Sequence, residues 1–117
     1  MGEQRARLGQ VLYPVADIAA AVEFYEAAFG FTTKFADGNR FAGLDTNDTT
    51  LALTGPAEDV TEGVSAAAIK VHDVGATVEA VVQAGGSITR APRPGPHELR
   101  AVVRDPWENA LVIYGPI

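Results

Sequence analysis

Apolar positions along this chain change period from two to about 3.6 and back, and do so twice. Leu8–Val15 reads as a strand, with Pro14 near its end. Ile18, Val22, Tyr25 and Phe29 then recur at helical spacing, so one face of that segment is apolar. Asp17 suits the N-cap, because its carboxylate can accept an orphan backbone N–H. Gly30 suits the left-handed residue that commonly ends a helix. Phe24, Tyr25 and Phe29 are expected in the core. Phe31–Ala36 and Arg40–Asp45 read as strands around Asp37-Gly38-Asn39, a strong tight-turn signal. After the turn Thr46-Asn47-Asp48, Thr50–Thr54 is a further strand. The polar stretch Gly55–Gly63 is turn-rich and serves as a linker.

The same order then returns. Val64–Val71 is a strand, Asp73 a cap, Val74–Ala84 a helix and Gly85-Gly86 its stop. Ser87–Arg90 is a short strand. Ala91–His97 is expected to be a loop, because three prolines in seven residues do not fit inside a ladder. Leu99–Arg104 and Ala110–Tyr114 are strands around the turn Asp105-Pro106-Trp107-Glu108-Asn109. Aligning 14–30 with 70–86 gives seven identities in seventeen positions, the shared Asp and Gly standing near the two ends. A fixed-offset repeat can set the whole architecture. The expectation is a single domain, 1–117, of α+β class: two βαβββ modules in tandem, 8–54 and 64–117, joined by the linker 55–63. Each sheet packs its helix on one face and leaves the other face open.

Composition narrows the function. A net charge of −6 argues against nucleic acid, whose phosphates are bound by Lys and Arg, and against an anionic membrane surface. The chain has no cysteine, which excludes disulfides, Cys-ligated zinc, iron–sulfur clusters and a Cys nucleophile. No apolar run approaches the roughly 20 residues that span a bilayer. MGEQRARLGQ lacks the apolar core of a signal peptide. A soluble, cytoplasmic protein is expected. No nucleophile elbow, phosphate loop or Ser/His/Asp set is present, so no catalytic residues are assigned.

The stretch VADIAAAVEFYEAAFGF resembles the first-helix segment of the vicinal oxygen chelate superfamily, which includes glyoxalase I, extradiol dioxygenases, fosfomycin-resistance enzymes and bleomycin-resistance proteins. DPWENALVIY resembles its last hairpin, with Glu108 where that family usually has Gly. The resemblance covers nearly the whole chain and implies a curled mixed sheet around a cavity. In metal-dependent members, four His, Gln or Glu side chains hold a divalent ion. The corresponding positions here carry Gln10, Ala52, Ala66 and Val112. Only Gln10 could donate, and such ions need several N or O ligands. His72 and His97 lie at a strand end and in the proline loop, with no carboxylate or His at ligand-like spacing. The resemblance therefore implies a metal-free, cofactor-free member similar to the bleomycin-resistance class. Such a member sequesters a small organic ligand, antibiotic-like, aromatic and anionic, as a homodimer. The alternative is a lyase, isomerase or dioxygenase of the same superfamily, using cavity acid–base groups or a metal site elsewhere.

Strand alternation places the candidate ligand contacts. Gln10 and Leu12 share a face, and Ala52, Ala66, Val112 and Tyr114 line the same expected cavity. In Leu99–Arg104, the set Leu99, Ala101, Val103 suits the helix side. Arg100 and Arg104 then point to the open side, joining Lys70. Guanidinium forks suit carboxylate or phosphate groups. The same arginines equally suit rim positions paired to acids in solvent. Phe35 and Phe41 flank the first hairpin as stacking surfaces. Trp107 stands in a turn, where stacking on a ligand and contact across a dimer are both open.

Overall fold

A computed structural model describes residues 6–117. The chain forms eight strands and two helices in the order β1 (Arg7–Pro14), α1 (Ile18–Phe29), β2 (Thr32–Asp37), β3 (Phe41–Asp45), β4 (Thr50–Thr54), β5 (Ala66–Lys70), α2 (Val74–Gln83), β6 (Ser87–Pro94), β7 (Leu99–Arg104) and β8 (Ala110–Gly115). This is βαβββ twice, as the repeat implied. Two compact units result: Gln10–Ser65, and Ala66–Ile117 together with Arg7–Gly9.

In the first unit the strands lie in the order β2-β3-β4-β1. β1 runs parallel to β4, pairing Gln10 with Thr50 and Leu12 with Ala52, while β3 is antiparallel to both its neighbours. Asp17 caps α1 by accepting the Ala20 N–H at 3.1 Å, and Gly30 closes it in the left-handed region at φ 75°. Ile18, Ala42, Leu44 and Leu53 form the buried core between α1 and the sheet. Two expected core residues fall outside it. Phe24 and Phe29 are 59% and 62% exposed. Phe24 lies well off the Ile18–Val22–Tyr25 stripe, since each residue turns the helix by about 100°. Phe29 is on the stripe, but in the last turn, where its ring stacks 5.5 Å from that of Phe31. Tyr25 is half-buried against the core, as expected.

The second unit has the order β5-β8-β7-β6, with β5 parallel to β8. Asp73 caps α2 through the Ala76 N–H at 3.0 Å, the counterpart of the first cap. Val71, Val74, Val78, Ala101, Val103 and Ile113 form its core. The duplication extends to single hydrogen bonds: Val15 N–H donates to the Thr54 carbonyl, and Val71 N–H to the Tyr114 carbonyl, both at 2.9 Å. Here one expectation is corrected. The stretch expected as a loop, Ala91–His97, is strand as far as Pro94, so β6 covers Ser87–Pro94. β6 lies at the end of its sheet, and an edge strand has one side with no ladder bonds to lose, so proline is tolerated there. Register shifts between Ile88, Arg90 and Arg93 take up the irregularity.

Candidate functional site

Each half-sheet has one face under its helix and one open face. In the second unit, the core takes Ala101 and Val103 from β7, so alternation turns Arg100, Val102 and Arg104 to the open face. The register then defines rows across the sheet. Arg93 stands opposite Arg100, Arg100 opposite Tyr114, and Tyr114 beside Lys70. These four residues form one row across four strands, about 14 Å long at the usual strand spacing. The next row reads Arg90, Val102, Val112 and Ala68. Arg104 and Ala110 begin a third. Val102, Val112 and Ala68 are small, apolar and buried, and stand beside the cationic row. Five of the nine Lys and Arg residues of the chain share this one face.

Three residues of these rows are held in place. Arg100 Nε lies 3.8 Å from Glu98 Oε2. Its guanidinium lies over Gly95, where an added Cβ would come within 2.6 Å of Nε. Arg104 donates from Nη1 to the Glu108 carbonyl at 2.9 Å. The Tyr114 hydroxyl lies against Gly9, in space that any β-carbon at Gly9 would fill. Burial pushes the Tyr114 phenol above its ordinary pKa, opposed by the Arg7 charge and reinforced by Glu98. At neutral pH it is a hydrogen-bond donor in the middle of the row.

The first unit's open face is built from the same rows. Gln10, Thr50 and Asp45 share one; Leu12, Ala52, Gly43 and Phe35 the next; Pro14, Thr54, Phe41 and Asp37 the third. Leu12, Ala52 and Gly43 form a buried floor. Phe35 and Phe41 stand beside it with ring centroids 6.1 Å apart, and Phe35 is 57% exposed. Lys34 donates to Thr50 Oγ1 at 2.7 Å on the same face. An open hollow of about 350 Å³ near the start of α1 is lined by Asp17 and Asn39, but both are structural: Asp17 caps the helix, and Asn39 Oδ1 accepts the Ile18 N–H at 2.8 Å.

Within each unit the expected site residues share an open face: Gln10, Leu12, Ala52, Phe35 and Phe41 in one; Ala66, Lys70, Arg100, Arg104, Val112 and Tyr114 in the other. Trp107 is set apart in the β7–β8 turn, 79% exposed, its backbone N–H donating to Asp105 Oδ1. Sequence reasoning missed Arg90, which stood in the expected short strand Ser87–Arg90 with no face assigned, and Arg93, which stood in the expected loop Ala91–His97. Regular alternation gave no signal for Arg90, since it would share a face with Ile88; the register shift between them puts the two on opposite faces. Gln10, Ala52, Ala66 and Val112, expected to correspond to the ligand positions of metal-dependent members, offer one amide and three alkyl side chains, a set that does not fit a divalent ion. Among the described residues no three His, Asp or Glu side chains converge to hold one.

Residues 7–113 match the Glyoxalase/Bleomycin resistance protein/Dioxygenase superfamily. The chain belongs to that superfamily. It is 38% identical over 107 residues to an uncharacterized protein of Mycolicibacterium smegmatis, covering 92% of this chain and 91% of that one. A putative lactoylglutathione lyase of Brassica oleracea var. gemmifera is 29% identical over 131 residues, covering 97% of this chain and 46% of the relative. Among solved structures, a variant of Streptomyces coelicolor methylmalonyl-CoA epimerase, in complex with 2-nitronate-propionyl-CoA, superposes with a TM-score of 0.70 at 24% identity, covering 94% of this chain and 96% of that one. The likeness establishes the superfamily fold. No helix among the described residues is long and apolar enough to cross a membrane.

Proposed function

We propose that this superfamily member is a metal-free, cytoplasmic, homodimeric protein that binds and sequesters a small aromatic anion of antibiotic or natural-product type. The carrying observation is the row Arg93–Arg100–Tyr114–Lys70 beside Val102, Val112 and Ala68. The row offers guanidinium forks, an ammonium and a neutral phenol to an anionic group. Phe35 and Phe41 supply a stacking surface on the other unit. The side chains Gln10, Ala52, Ala66 and Val112 support the metal-free part. Stoichiometric zinc, nickel, manganese or iron in purified protein, lost with Gln10→Ala, would overturn that part.

The anion part is tested by calorimetry with benzoate and its uncharged methyl ester. A charge-assisted hydrogen bond contributes roughly 1.5–3 kcal/mol, so benzoate is expected to bind about 10- to 100-fold more tightly. Arg100→Ala removes most of that preference. Equal affinities in the unaltered protein would mean that the arginines are rim charges. A second reading, an isomerase or lyase, is favoured by the names its relatives bear and by the proton that Tyr114 retains. Turnover lost in Tyr114→Phe, with anion affinity unchanged, would select it over sequestration.

A further inference from the structure

The two modules provide an internal comparison. In the alignment that pairs Asp17 with Asp73, the places of Phe24, Tyr25, Phe29 and Phe31 are held by Ala80, Val81, Gly85 and Ser87. The same βαβββ order forms in the second module, so that architecture does not demand four aromatic rings. In the first module the rings make one continuous cluster. Tyr25, Phe29 and Phe31 are nearly parallel, at 24°, 11° and 22° to one another. Phe24 stands close to perpendicular, at 85° to Tyr25 and 76° to Phe29. The cluster therefore presents ring faces in two directions, about a right angle apart, and the exposed Phe24 and Phe29 open it to solvent.

The surroundings carry one sign of charge. The first unit, residues 10–65, holds nine Asp and Glu against two Lys and Arg, and neither cation lies on α1. Glu23 and Glu26 stand three residues apart on that helix, both exposed, a like-charge spacing that weakens a helix. Glu26 is also three residues before Phe29, and so beside it on the helix surface. The face of an aromatic ring is the negative side of its quadrupole and attracts cations. A primary ammonium is compact and strongly hydrated, so it keeps its water on an exposed surface. A methylated ammonium wraps its charge in apolar methyl groups, which suit ring faces and carboxylates together.

We propose that Phe24 and Phe29, with Glu26 beside them, form a site for a small methylated or quaternary organic ammonium ion. The site lies within the first unit and does not rest on the anion-binding reading; it leaves Trp107 for contact with a second copy. Choline and neohexanol, its uncharged carbon isostere, share one shape and differ in the charge of the central atom. In proton NMR titrations of the full chain, choline is expected to bind about tenfold more tightly than neohexanol. Its methyl signal moves upfield, because ring faces shield it. Phe24→Leu and Phe29→Leu keep an apolar side chain at an exposed position and remove the ring. Each is expected to weaken choline about three- to fivefold and to leave neohexanol within about twofold. Glu26→Gln is expected to weaken choline and not neohexanol. Equal affinity for the two probes, failure of choline to bind, or choline affinity unchanged in both leucine variants would overturn the site. A dimer that Phe24→Leu turns into a monomer in light scattering would overturn it too, because a second copy would then occupy the rings.

Discussion

Asp105 organises the β7–β8 turn with both of its oxygens. Oδ1 accepts the Trp107 and Asn109 backbone N–H groups, and Oδ2 accepts the Asn109 side-chain amide, each at 2.9 Å. These bonds, the Asn109 amide above all, hold the carboxyl below its ordinary pKa. A depressed folded-state pKa stabilises the fold above the unfolded value, near 4, and that contribution is lost as pH falls through the folded value. Asn109→Ala should therefore lower the melting temperature at pH 7, with a smaller difference from the unaltered protein near pH 2. Next to it, Glu108 occupies the left-handed region at φ 73°. Where relatives were expected to have glycine, the turn keeps the backbone conformation of glycine with a side chain that resists it. Glu108→Gly is expected to stabilise by about 0.5–1 kcal/mol in thermal melts, part of the relief being offset by the freer unfolded chain. The sequence showed the substitution; that the backbone would keep its shape was not legible, because the turn is imposed by Asp105 and Asn109 on either side.

Helices and their caps were legible because their signals are local. Asp17 and Asp73 sit in the same extended conformation and accept the same N–H, three residues on. Asp17→Ala and Asp73→Ala should each cost about 1 kcal/mol, measured by denaturant unfolding, and a clear inequality would show that one helix is held mainly by packing. Strand β6 was not legible for the opposite reason. Pro92 and Pro94 forbid a central strand and permit an edge strand, and which of these a segment becomes depends on pairing far along the chain. That one ambiguity removed Arg93 from the candidate site, and the register shift after Ile88 hid the facing of Arg90. Phe24 and Phe29 show the same limit on α1, where helical spacing identifies a stripe but not how far the sheet beneath it reaches.

At the scale of the whole molecule, a chain of net charge −6 gathers five cations on the open face of one unit. The sequence showed three of them, because Arg93 stood in an expected loop and Arg90 in an expected short strand whose facing was not assigned. Large apolar side chains remain exposed, Phe24, Phe29 and Trp107 among them, and clustered exposed aromatics mark contact surfaces. Edge pairing is a poor route to assembly here, since prolines blunt β6 and a register shift interrupts β2. A homodimer using the exposed aromatics is expected, so light scattering at micromolar concentration should give twice the 12.3 kDa chain mass. A monomer would contradict it. The parallel pairings β1–β4 and β5–β8 also set a timetable. Each must bring together residues as distant as Gln10 and Thr50, or Ala67 and Leu111, and loop closure has to precede any reward from such contacts. Refolding should be slow for so short a chain. Substitutions in the β3–β4 and β7–β8 hairpins should alter its rate less than substitutions where the first and last strands of a module meet.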